Sequence, residues 1–169
     1  MSFRQVHKTV LLAEQWVHTV TVGREVQRMR GPAATNANVR KSMQGNTKKD
    51  TSIEIMFRKA LWHRGVRYRK NCKDILGTPD VAIRKYKLVV FCDGDFWHGK
   101  VFHGVKSHER FWNEKIKRNQ ERDLEYTIRL RDEGWVVLRF WESEIRDDVD
   151  GCVDAVVNMI QRQKERRKK

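Results

Sequence analysis

The chain has 169 residues, 39% of them hydrophobic, enough to bury one good core and too few for two ordinary domains. Its 36 basic residues against 22 acidic ones leave a net charge of +14, which favours a polyanionic partner, nucleic acid first, over a neutral one. No run approaches the length of a membrane span, and the apolar stretch from Val10 to Ala13 is stopped by Glu14 before it can act as a signal-peptide core, so no membrane association and an intracellular protein are expected. Cys72, Cys92 and Cys152 are widely spaced and form no C-x-x-C pair, which argues against a disulfide framework and a cysteine-based zinc site and for reduced thiols.

Residues 1–30 are polar and rich in β-branched side chains, with weak periodicity, and 31–38 have the composition of a linker. Residues 1–38 are therefore set apart as an extension, and 39–161 as the single folded domain. Thr51-Ser-Ile-Glu54 is a capping box in which hydroxyl and carboxylate can each satisfy an orphan amide at a helix start. In the helix that follows, Ile53, Phe57, Ala60, Leu61 and Arg64 share a face, and Gly65 ends it. Four short strands are expected, at 66–69, 81–83, 88–91 and 135–141. A long helix over about 111–133 lies between the last two, with Trp112, Ile116, Tyr126 and Leu130 on its buried side and Gly134 as its stop. A final helix from about 149 carries Val153, Val156, Val157 and Ile160, then dissolves into a basic tail over 162–169. Helix, three strands, helix, strand is the order of a small α/β unit.

The stretch Leu88-Val-Val-Phe-Cys-Asp-Gly-Asp-Phe-Trp-His98 runs a continuous apolar strand straight into acids, two large aromatics and a histidine. Upstream, Thr78-Pro79-Asp80 leads into the strand at 81–83, and Lys85-Tyr86 is a short enough connection to fold one strand back on the other. Asp80 and Asp93 then stand at neighbouring strand ends, where two acids can hold a hard divalent cation through oxygen and a nearby imidazole can move a proton. Each residue also has a plainer account: Asp80 as a solvated turn acid, His98 as a surface histidine, and Glu54 as the capping-box partner alone. Phe96 and Trp97 follow a glycine turn, and adjacent aromatics on a strand cannot both enter one core, so at least one is expected to be exposed. For Trp97 the plain account is ordinary partial burial.

Gly77-Thr-Pro-Asp80, Phe91-Cys-Asp-Gly-Asp-Phe-Trp-His98, Phe111-Trp-Asn-Glu-Lys-Ile116, Asn119-Gln-Glu-Arg-Asp123 and Gly134-Trp-Val-Val-Leu-Arg-Phe-Trp-Glu142 together resemble the very short patch repair (Vsr) endonucleases, from about Arg40 to Ile145. The resemblance implies a restriction-endonuclease-like, PD-(D/E)xK-type α/β core with a central mixed sheet flanked by helices. It also implies a magnesium-dependent enzyme that nicks one strand of duplex DNA 5′ to the thymine of a T:G mismatch. In such an enzyme Asp80 is the central metal ligand, the Cys92 carbonyl a second, and Asp93 a holder of metal-bound water. His98 is the general base, Asp123 its orienting acid, and Glu54 an acid near the metal waters. Phe96 and Trp97, with Met43, wedge into the duplex, which costs least where pairing is already poor.

Lys115, Asn119 and Arg122 are the further DNA-contacting candidates, since Asn119 lies one turn before Asp123 and both can face one groove. Lys117, Arg118 and the basic tail are either phosphate contacts or solvated charge. Where zinc-bearing members place cysteine and histidine, this chain has Asp95, Lys100, Phe102 and Ser143, of which Asp95 alone is an ordinary zinc ligand, so no structural zinc is expected. A monomer in the bacterial cytoplasm, acting on mismatched double-stranded DNA, with mismatch-repair proteins as candidate partners, is what the resemblance implies. Two rivals remain: a catalytically silent mismatch or structure sensor, and a nickase of relaxed specificity. A basic RNA-binding protein accounts for the charge but leaves the paired acid motifs as coincidence.

Overall fold

The computed structural model describes residues 49–100 and 108–168. Met43, Phe102, His103, the extension and the linker lie outside these. Within the described residues the elements run α1 (Ser52–His63), β1 (Val81–Ile83), a 3-10 turn (Arg84–Tyr86), β2 (Leu88–Asp93), α2 (Glu109–Asp132), β3 (Val136–Trp141), α3 (Glu142–Asp147) and α4 (Val149–Arg166). The sheet order is β1-β2-β3, with β1 antiparallel to β2 and β2 parallel to β3. The expected mixed sheet is thus present, because the short 3-10 turn reverses the chain while the crossover through α2 restores its direction.

Strand alternation decides which side chains go where. Val81, Ile83, Leu88, Val90, Leu138 and Phe140 face one way and meet Ile53, Phe57 and Leu61 of α1, Ile145 of α3, and Val153, Val156 and Ile160 of α4. Ala82, Val89, Phe91 and Val137 face the other way, onto Leu130 of α2 and onto Cys72 and Ile75 of the loop before β1. Both faces of the sheet are covered, which is why β1 and most of β2 are apolar without interruption. Phe57 and Leu61 have no exposed surface, and truncating either to alanine removes packing worth about 2–5 kcal/mol.

The helix limits follow the expected signals. Thr51 accepts the Glu54 amide, and the Glu54 carboxylate returns to the Asp50 amide at 2.9 Å and the Thr51 hydroxyl at 3.0 Å, a box shifted one residue outward. Gly65 and Gly134, at φ +77° and +81°, take the left-handed turn that stops α1 and α2. Arg64 is exposed and ion-paired with Asp154 of α4, so it is not on the buried face.

Four expectations are corrected. Residues 66–69 form no strand but a single bridge, Arg69 exchanging both backbone bonds with Ala82, because β1 is three residues long and offers only its middle. Trp112 and Tyr126 are half-buried, while Thr127, which the apolar pattern passes over, is buried with its hydroxyl donating to the Asp123 carbonyl at 2.7 Å. A short helix, α3, occupies 142–147, where none was expected. And α4 continues to Arg166 instead of dissolving at 162; charged side chains are good helix formers and no breaker intervenes.

Candidate active site

The parallel pairing of β2 with β3 puts Asp93 beside Trp141, so both strands end at the same edge of the sheet, and the antiparallel β1 begins there. Asp80 immediately precedes β1. Gly77 and Thr78 both have positive φ, 76° and 53°, which turns the chain sharply into a fully buried Pro79. A Cβ at Gly77 would lie 2.9 Å from the Tyr126 ring and 3.2 Å from Phe91, so the turn needs glycine for space as well as for φ. The turn delivers the Asp80 carboxylate to β2, where its Oδ2 accepts the Cys92 amide at 2.7 Å.

Burial raises Asp80 from an ordinary 3.8 to about 7; the Cys92 amide pulls it down, and the charges of Glu54 and Asp93 push it up again. The same surroundings, burial first and then the nearby carboxylates, hold the Cys92 thiol well above its usual range. All three cysteines are free thiols.

Two arginines, Arg58 buried and Arg139 partly buried, divide the remaining carboxylates between them. Arg58 binds Glu54 at 3.2 Å and also pairs with Asp50. Arg139 clamps Asp93 with two bonds, Nε to Oδ2 at 2.6 Å and Nη2 to Oδ1 at 2.7 Å. Glu54 is therefore both cap and ion-pair partner, and both oxygens of Asp93 are engaged. Among the described residues, Asp80 is the one acid of this group that makes no ion pair, Arg58 acting on it only through its field.

His98 reaches the site from a turn and Asp123 from the middle of α2. The imidazole Nδ1–H donates to Asp123 Oδ2 at 2.5 Å, which leaves Nε2 as the accepting nitrogen, and Asp93 Oδ1 lies 3.7 Å away. Asp123 is lowered overall: burial alone would raise it, but the His98 bond and the charges of Arg139 and Arg122 outweigh that. The turn is pinned at both residues before Gly99, since Asn119 donates to the Trp97 carbonyl at 2.9 Å and Gln120 to the His98 carbonyl at 3.0 Å. A dyad of this form can take a proton from a water placed beyond Nε2.

Phe96, Trp97 and Trp112 form an edge-to-face cluster with centroids 5.1 to 5.8 Å apart, and the Lys115 ammonium stands 5.1 Å from both tryptophan rings. Phe96 and Trp97 are both only partly buried. Arg122 donates to Asp123 at 3.1 Å, a second carboxylate contact rather than an open phosphate ligand. Asp95 accepts the Ser143 hydroxyl at 3.0 Å, and Lys100 donates to that same hydroxyl at 2.7 Å.

No group of three or more His, Cys, Asp or Glu side chains among the described residues is arranged to hold a metal. A magnesium site does not need one: it uses one or two carboxylates, keeps several waters and shares the substrate's phosphate oxygens. Asp80, a desolvated acid without a cation, and the adjacent main chain at Cys92 are hard oxygen donors that fit such a site. Asp93 offers less, because its oxygens face Arg139.

The structure brings Asp80, Cys92, Asp93, His98, Asp123 and Glu54 to one edge of the sheet, with Phe96, Trp97, Lys115, Asn119 and Arg122 beside it; Met43 lies outside the described residues. The sequence reading passed over Arg58 and Arg139. The signals were there, a charge four residues after Glu54 and an arginine inside the apolar strand Val136–Trp141.

The chain matches the family described as DNA mismatch endonuclease Vsr over residues 33–104. It is 46% identical over 121 residues to the Type II nicking enzyme V.NmeDIP of Neisseria meningitidis serogroup C, covering 69% of this chain and 82% of that protein. It is 41% identical over 111 residues to the Type II nicking enzyme V.HpaIIP of Haemophilus parainfluenzae, covering 63% and 79% of the two chains. DNA mismatch endonuclease Vsr of Escherichia coli K12 is 35% identical over 109 residues, covering 63% and 70%. With its restriction-endonuclease-like mixed sheet and a His–Asp pair at the strand ends where Asp80 stands without an ion pair, this chain is an endonuclease of the DNA mismatch endonuclease Vsr family.

Proposed function

We propose that the protein is a magnesium-dependent nickase that cuts one strand of duplex DNA 5′ to the thymine of a T:G mismatch, leaving a 5′-phosphate and opening the strand for short-patch repair. Its relatives' names, nicking enzyme and mismatch endonuclease, support cleavage of one strand at a mispair. The observation that carries the chemistry is the His98–Asp123 pair, 2.5 Å apart, next to Asp80, the acid left without a cation. A silent sensor has no use for either.

Asp80 and the Cys92 carbonyl would hold the cation, with Glu54 near its waters. When bound, magnesium neutralises charge gathering on the phosphate and makes a water easier to ionise. Asp123 fixes the His98 ring so that Nε2 faces outward and accepts the attacking water's proton. Asn119 and Gln120 hold the turn that carries His98, and Phe96 and Trp97 extend from that turn to where a wedge would enter a weakened base step. Met43 belongs with this wedge. Catalytic and stacking groups on one turn would couple mismatch sensing to cleavage. The protein acts as a monomer and carries no structural zinc, the Asp95–Ser143–Lys100 contacts standing where other members place metal ligands. Residues 39–161 are the endonuclease domain and 1–38 an extension.

The test is nicking of end-labelled duplexes bearing each mismatch, with magnesium or with chelator. One product strand from the T:G duplex, dependent on magnesium, is expected. Equal cutting of every mismatch would favour the relaxed-specificity alternative, and equal cutting of paired DNA would remove mismatch recognition altogether. Metal analysis after dialysis checks the zinc expectation; stoichiometric zinc would overturn it.

A further inference from the structure

We propose that Arg139 is a positioning residue for strand cleavage, its guanidinium tying Asp93 and Asp123 together so that the His98 ring is held in one orientation. The proposal rests on the nuclease reading above and adds a residue to it.

Arg139 is the only charged residue of β3 and lies in a stretch whose neighbours Leu138 and Phe140 are buried. A charge placed there is costly unless it is paired. Its pairing is extensive: two bonds to Asp93, an ion pair from Nη2 to Asp123 Oδ2 at 3.4 Å, and Nη1 to the Asp123 carbonyl at 3.4 Å. The guanidinium carbon also stands 4.8 Å from the Phe91 ring centre. β3 is thereby connected to the end of β2 and to the middle of α2.

His98 Nδ1 sits between the two acids that Arg139 joins, 2.5 Å from Asp123 and 3.7 Å from Asp93. Two carboxylates converging on one imidazole nitrogen repel each other and offer competing acceptors. Arg139 eases both problems. It offsets one of the two negative charges and lies against both carboxylates, and by occupying both oxygens of Asp93 it leaves Asp123 as the acceptor for Nδ1–H. Because it lies behind the dyad, with its side chain about one-fifth exposed, its effect should fall on the chemical step and not on the grip on DNA.

The experiment uses the full chain and a T:G duplex. It measures the single-turnover nicking rate at saturating enzyme, the Kd in chelator by fluorescence anisotropy, and the His98 ring Nδ1–H resonance by NMR. Arg139→Met should slow the chemical step about 10- to 100-fold, as loss of an orienting partner does, with Kd little changed and the Nδ1–H signal broadened or lost. Arg139→Lys should recover the rate in part, since a point charge cannot bridge two carboxylates as a planar fork does. Adding Asp93→Asn to Arg139→Met should also regain rate, because the buried acid is no longer left unpaired. The proposal is overturned if rate and Kd fall together, if the rate falls only with the folded fraction by circular dichroism, or if the double variant gains nothing. A parent chain that binds the mismatch and shows the Nδ1–H signal but does not cut would sink the nuclease reading instead, leaving the signal's loss in Arg139→Met to judge the arginine.

Discussion

Asp80 carries the sharpest consequence at the scale of single residues. Its pKa in the fold, about 7, lies above its ordinary 3.8, so the folded protein binds a proton there that the unfolded chain gives up. The stability contributed by protonation is fully present below about pH 4 and is lost as pH rises through 7. In chelator, the parent's melting temperature should therefore fall over that window relative to Asp80→Asn, whose side chain stays neutral. At pH 8 the variant should be the more stable of the two by a few kcal/mol at most, the scale a shift of this size allows. Magnesium should raise the parent's melting temperature and not the variant's, and the variant should not nick. Parallel melting curves for the two proteins across pH 4–8 would show the acid to be solvated. Trp97 is a different kind of residue, half-buried against Phe96 and Trp112 and capped by Lys115. Trp97→Ala should reduce the preference for mismatched over paired duplex by about 1–3 kcal/mol, the range for a lost base-stacking aromatic. If discrimination survives while the melting temperature drops, Trp97 is packing and the wedge lies at Phe96 or Met43.

Among the elements, the turn from Gly94 to Lys100 carries the most constraint for its length. Gly99 has φ +80°, and a Cβ there would come 2.8 Å from Ile116 and closer still to the Gln120 amide that holds the His98 carbonyl. Gly99→Ala should then impair nicking more than it impairs folding, because it strains the turn that carries His98 and leaves the two cores untouched. Loss of cooperative unfolding at room temperature would show instead that the turn is part of the core. Turns of this kind explain what was legible in the sequence. The caps of α1 and the glycine stops of α1 and α2 are local signals, and Asp80, Cys92, Asp93 and His98 all lie within one hairpin and its following turn, so their proximity could be read along the chain. Asp123 became a partner of His98 only through the family resemblance, being 25 residues away. Arg58 and Arg139 were missed because an arginine inside an apolar element announces a buried acid without saying which. Residues 66–69 were misjudged because alternation promises a strand only where a partner of equal length exists, and β1 is three residues long.

For the molecule as a whole, the net charge of +14 matters less than where it sits. The active-site edge is the end where β1 begins and β2 finishes. The basic end of α4 reaches the other edge, where Lys164 and Arg167 stand 5.9 and 5.7 Å from the ring of Tyr86 in the turn between the two strands. The length of β2, roughly 20 Å at strand rise, separates them, more than twice the screening length of about 8 Å at physiological salt. Lys117 and Arg118 are instead exposed on α2, in the same turn as Asn119, whose amide holds the Trp97 carbonyl. Replacing either Lys117 or Arg118 by alanine should weaken matched and mismatched duplexes alike and reduce the slope of log affinity against log salt by about 1. Replacing Lys164 and Arg167 together should leave the slope and the single-turnover rate within error of the parent. If the two sets behave the other way round, the duplex must run across the far edge of the sheet, and α4, not α2, would be the helix that tracks its backbone.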